Sequence, residues 1–127
     1  MRFTAMLLLS MFAAETSQGQ QTGWKEMDDF SVLSGKVFHS AESGNLKPAR
    51  DSATVILRKA AAWQLSAIPA FCNATAIRPL LDKLVSQCTD IRDAVQANKR
   101  DQDLRTLVSR AHHTFHQIPG NCNVSPQ

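Results

Sequence analysis

The chain has 127 residues, 43% of them hydrophobic and 20% charged, with a formal net charge of +3. A chain of this length carries one domain around one core. Its basic residues are scattered and not interleaved with aromatics, which argues against a nucleic-acid partner.

The chain opens with a positive Arg2, followed from Phe3 to Ala14 by an apolar run without an acidic residue. About a dozen residues is the length of a signal-peptide core and too short to span a bilayer. Ser17-Gln18-Gly19 offers small residues for cleavage after Gly19. Residues 1–19 are therefore expected to be a signal peptide and residues 20–127 one exported domain, periplasmic or secreted, with no membrane span once the signal is gone.

Four amphipathic segments follow. The first runs from about Trp24 to Ala41, with Trp24, Met27, Phe30, Leu33, Val37, Phe38 and Ala41 on one stripe. The second runs from about Pro48 to Ala67, with Ala53, Ile56, Leu57, Ala60, Trp63 and Ala67 facing in, and Pro69 stops it. Gln64 falls on that inner stripe and calls for a buried partner. The third is announced by Asn73 or Thr75 as cap, carries Pro79 in its first turn and ends near Asn98. Its stripe is Ile77, Leu80, Leu81, Leu84, Cys88, Ile91 and Val95. The fourth begins near Arg100 with Asp101 and Asp103 in its first turn. Leu104, Leu107, Val108, Ala111, Phe115 and Ile118 line it, and Pro119-Gly120 ends it.

Four such segments with short connections favour an all-α, antiparallel up-down-up-down four-helix bundle. In that topology the start of the first helix, the end of the second, the start of the third and the end of the fourth share one end of the bundle. Met27, Cys72, His116 and Cys122 belong near that end, and His39 at the opposite one, on the polar side of its helix. Three cysteines in an oxidising compartment suggest one bridge and one spare thiol. Cys72 and Cys122 flank neighbouring helix ends and are the expected disulfide, with Cys88 buried and reduced in its stripe; Cys88–Cys122 is the competing pairing.

Chemistry gathers in the last helix. At about 100° per residue, His112 lies roughly 90° from the centre of the apolar stripe, His116 lies further round, and His113 points to solvent. Imidazoles four residues apart on one helix flank can share a transition metal such as copper or zinc. His112 and His116, with a thiolate from Cys88 or Cys122, are the candidate ligands; a Cys72–Cys122 bridge would take the second sulfur away. The same spacing also arises in helices whose histidines bind nothing.

Haem b is a second candidate ligand. Covalent attachment is excluded because C-x-x-C-H is absent. A methionine early in the chain and a histidine late in it could supply noncovalent axial ligands. In length, helix count, exported start and this methionine-then-histidine order the chain resembles the cytochrome b562 and cytochrome c-prime type of periplasmic four-helix bundle. That resemblance implies Met27 and His116 as axial ligands, with His112 as substitute. F-H-x-x-x-x-x-N-L-x-P-x-R (Phe38 to Arg50), W-x-x-x-x-I-P (Trp63 to Pro69) and H-x-x-F-H-x-I-x-x-x-C (His112 to Cys122) also look like a type of small exported bacterial helical protein. This second resemblance implies no activity, but marks His39, His116 and Cys122.

Nothing resembles a nucleophile elbow or a glycine-rich phosphate loop, so an enzyme is the least supported class. Asn73-Ala74-Thr75 and Asn123-Val124-Ser125 match the glycosylation sequon, which matters only in a eukaryotic source. Two readings follow: a metal- or haem-binding bundle using the late histidines, and a structural or interaction module with a protein partner, no cofactor and one disulfide.

Overall fold

Apolar residues at helical spacing close into a four-helix bundle, seen in a computed structural model that describes residues 22–123. The helices are α1 (Lys25–Glu42), α2 (Lys47–Leu65), α3 (Ala74–Gln96) and α4 (Asp101–Gln117), followed by a 3-10 turn at Pro119–Asn121. The expected signal peptide and Ser125 of the second sequon lie outside the described residues.

Local chemistry sets the helix ends. Gly44, at φ 91°, lets the chain leave α1, its N–H donating to the Ala41 carbonyl at 3.0 Å and that of Asn45 to Ser40 at 2.8 Å. Asn98 plays the same part after α3 at φ 53°, its N–H donating to Val95 at 3.0 Å and that of Lys99 to Ala94 at 2.9 Å. Asn73 caps α3 through Oδ1, which accepts from the Ala76 N–H at 3.2 Å. Pro79 lies inside the helix, beyond the first turn expected for it. It therefore deprives the Thr75 carbonyl of its intrahelical donor, at a position where Thr75 is exposed to water.

The stripes meet in one core. Phe30, Phe38, Ile56, Trp63, Ile77, Leu81, Leu84, Ile91 and Leu104 are each at most 1% exposed. Aromatic rings join α1, α2 and α4: Phe30 lies 5.4 Å from Trp63 and 5.5 Å from Phe115, centre to centre, and Trp24 meets Trp63 edge-on at 5.7 Å. Two buried hydroxyls interrupt the apolar lining and bond back to their own helices, Ser34 to the Ser31 carbonyl and Thr114 to that of Arg110, both at 3.3 Å. Gln64 is half-buried, and its Nε2 donates to Asp82 of α3 at 2.8 Å.

Polar links between helix ends fix which residues become neighbours. Trp24 Nε1, just before α1, donates to Ser66 Oγ, just after α2, at 2.9 Å. Near the other end of α1, the Arg105 guanidinium of α4 donates to the Glu42 carbonyl at 2.8 Å. Arg50, early in α2, bonds Asp101 Oδ1 at 2.8 Å and the Lys99 carbonyl at 2.6 Å. These links bring the last turn of α1 beside the body of α4.

Candidate functional site

The cysteines separate cleanly. Cys72 and Cys122 form a disulfide that closes a sequence separation of 50 residues. The backbone supports it on both sides: the Asn73 N–H donates to the Asn121 carbonyl and the Asn123 N–H to the Phe71 carbonyl, both at 2.8 Å. Cys88 is free and fully buried, and burial pushes its thiol up to about 12. Neither sulfur expected beside the histidines therefore offers a thiolate: that of Cys122 is bonded to Cys72, and that of Cys88 stays protonated in the core.

The histidines assemble on the seam between α1 and α4. His112 is half-buried, its side chain 19% exposed, with its ring centre 4.9 Å from that of Phe38. Its Nδ1 lies 2.5 Å from Glu42 Oε1, and its Nε2 lies 2.7 Å from Nε2 of His116. A carboxylate can only accept, so His112 Nδ1 donates to Glu42. In the neutral ring this leaves a lone pair on His112 Nε2, to which the His116 Nε2–H donates.

His116 is exposed at the surface, and Phe115 and His112 cover part of its ring, with centres at 5.3 and 4.4 Å. That partial burial holds its pKa below the ordinary histidine value. Positive charge on His112 pushes the same way, Glu42 opposes, and His113 and His39 add smaller pushes downward. His113 is exposed, as its position on the helix predicts.

His39 is the main correction. It is exposed on the polar side of α1, as expected, but it is not a bundle-length away from the late histidines: its ring centre is 6.3 Å from that of His112. His112 stands in the body of α4, where the last turn of α1 reaches it. Among the described residues no group of three or more histidine, cysteine or acidic side chains is placed so that it could hold a metal ion as it stands. Two imidazole nitrogens converge, a carboxylate orients one of them, and a third imidazole, that of His39, stands beside His112.

Met27 packs in the core at 1% exposure. Phe30, one turn along from it, meets Phe115, and Phe115 meets His116. A porphyrin reaching Met27 would have to enter a core already filled around that methionine, so the residues present do not fit the group in this packing.

Comparison with protein-family models, curated proteins and solved structures finds no match. Of the likeness to haem-binding bundles, the structure supports the four-helix architecture alone.

Glu42 is the site residue that sequence reasoning missed. It is the last residue of α1, where a carboxylate opposes the negative end of the helix dipole. That mismatch was a readable signal that the side chain has a partner elsewhere.

Proposed function

We propose that this protein is an exported, disulfide-pinned four-helix bundle that binds a transition-metal ion, copper or zinc, through Nε2 of His112 and Nε2 of His116. The observation that carries the reading is the 2.7 Å approach of these two nitrogens on one helix flank. Two nitrogens on one tetrahedral zinc lie about 3.3 Å apart, given bonds of about 2.0–2.1 Å. To admit an ion the pair needs to open by about half an ångström, and the proton on His116 Nε2 has to leave that nitrogen, the ring taking its Nδ1–H tautomer. Imidazole donors suit copper and zinc, whereas magnesium and calcium prefer oxygen.

The disulfide supports export, since such bonds persist in oxidising compartments. No described helix is long and apolar enough to cross a membrane. A cofactor-free interaction module is the second reading, favoured by Leu65, which is 84% exposed at the end of α2 and offers an apolar contact to a protein partner.

The test is titration of chelator-treated exported protein with zinc and with copper against a chromophoric competitor. One ion per chain is expected, with His112→Ala and His116→Ala each weakening binding tenfold or more. A wild-type protein that binds neither ion, or variants that bind as the wild type does, would refute the reading. A Soret band on adding haemin that Met27→Ala abolishes would instead favour haem b.

A further inference from the structure

Two pairs of side chains face each other across the seam between α1 and α4. His112 and His116 stand four residues apart on α4, and His39 and Glu42 stand three apart on α1. This seam is more sparingly packed than those of α1 with α2, α2 with α3, or α3 with α4. Aromatic contacts such as Phe30 with Phe115 cross it, and polar side chains line its end near Glu42.

Each α1 residue has a feature that core packing does not account for. The carboxylate of Glu42 sits at the unfavourable end of its helix dipole, yet turns onto His112 Nδ1. A carboxylate on one ring nitrogen is how metal-binding imidazoles are oriented and made more basic; here the other nitrogen, Nε2, is taken by His116 and would have to exchange that partner for the ion. Arg105 holds the backbone of Glu42 in place through its carbonyl at 2.8 Å. His39 stands edge-on to His112, with an interplanar angle of 73°, exposed and with no side-chain hydrogen bond among the described residues.

The distances suit a shared ion. Two imidazoles bound to one tetrahedral metal have ring centres about 5 Å apart. Those of His112 and His116 are now 4.4 Å apart, and those of His39 and His112 are 6.3 Å apart. Admitting an ion spreads the first pair by about half an ångström and draws in the second by a little over one.

We infer that His39 is the third ligand of the metal site and Glu42 its positioning residue, so that the bound ion ties the end of α1 to α4. The inference rests on the two-histidine reading above and adds to it a ligand and an outer partner from a second helix. With three protein nitrogens the ion keeps a fourth position open, the arrangement of zinc sites that bind water or an exchangeable small ligand.

The probe is zinc chloride on the exported protein. Affinity is measured by chelator competition, melting temperature with and without zinc, and imidazole 15N shifts on a labelled sample. The chelator-treated melting temperature of each variant serves as its folding control. His39→Ala is expected to weaken zinc binding tenfold or more and to remove most of the zinc-induced rise in melting temperature. Glu42→Gln is expected to weaken binding about 10–100-fold, the usual effect of losing an outer-shell partner. The His39 ring nitrogen is expected to shift on zinc addition, which a merely structural histidine would not do. If His39→Ala binds within twofold of wild type and the His39 nitrogen stays put while His116→Ala loses binding, the bridge is wrong and the two-histidine reading stands. If the wild type binds no zinc, both fall.

Discussion

Removing the Cys72–Cys122 bond should cost this protein a large share of its stability. The bond closes a 50-residue separation, and the chain-entropy relation for a loop of that length gives about 4 kcal/mol at 25 °C. The folded state is expected to change little without the bond, because the bonds from Asn73 to Asn121 and from Asn123 to Phe71 can still register the two segments. The loss is therefore expected through the unfolded chain, which gains freedom it did not have. Domains of this size carry about 5–15 kcal/mol in total, and each kcal/mol moves the melting point by about 4–8 °C. A Cys72→Ser/Cys122→Ser variant should thus melt roughly 15–30 °C below the oxidised parent. Urea unfolding followed by far-UV circular dichroism measures the difference, and reduced wild type serves as a second control. The denaturant slope should rise in the variant, since the uncrosslinked chain exposes more surface when it unfolds. A loss below about 1 kcal/mol, set against the loop-closure figure, would refute the entropic argument. Peptide mapping that found Cys88 in the bridge would overturn the pairing itself.

Two further predictions follow from the buried and the clustered groups. The Cys88 thiol, fully buried and pushed up to about 12, should ignore a thiol reagent in the native protein and react once urea unfolds it; rapid native labelling would contradict its burial. In chelator, His116 should make the fold acid-sensitive. Its folded pKa lies below the unfolded value of 6.5, so the unfolded chain binds more protons, and stability falls as pH drops through that value toward the folded one. Glu42 on α1 opposes this effect, while His39 on α1 and His112 and His113 on α4 favour it, so the comparison is with His116→Gln at pH 7.5 and 5.5. A variant as acid-sensitive as the wild type would sink the assignment.

The fold was legible because helical periodicity is a property of each segment alone. Ile77, Leu81, Leu84, Cys88 and Ile91 recur at three and four residues and all lie in the core. Asn73 was readable as one of two candidate caps, with Thr75, from its place before an apolar run, and Cys72 and Cys122 as partners from the ends they flank. Pro79 was misplaced because a proline reads as a helix start even where, as here, the helix has begun five residues earlier. The site was legible only within α4, where the spacing of His112 and His116 is local. Its α1 half was not, because the meeting of Glu42 and His39 with His112 depends on how two helices are rotated and offset along the seam. Periodicity gives the buried face of each helix and leaves that offset undetermined.

The burial of Cys88 bears on the order in which the native protein can be made. In an extended chain Cys88 lies about 16 residues from Cys72, against 50 for Cys122. Closing the shorter loop is easier by about 1 kcal/mol, so oxidation of an unfolded chain favours the wrong partner. Once α3 docks, the Cys88 sulfur is out of reach and only Cys122 remains to compete for Cys72. Packing thus acts as the proofreader of oxidation: the native bridge is favoured when the helices collapse before an oxidant meets the chain.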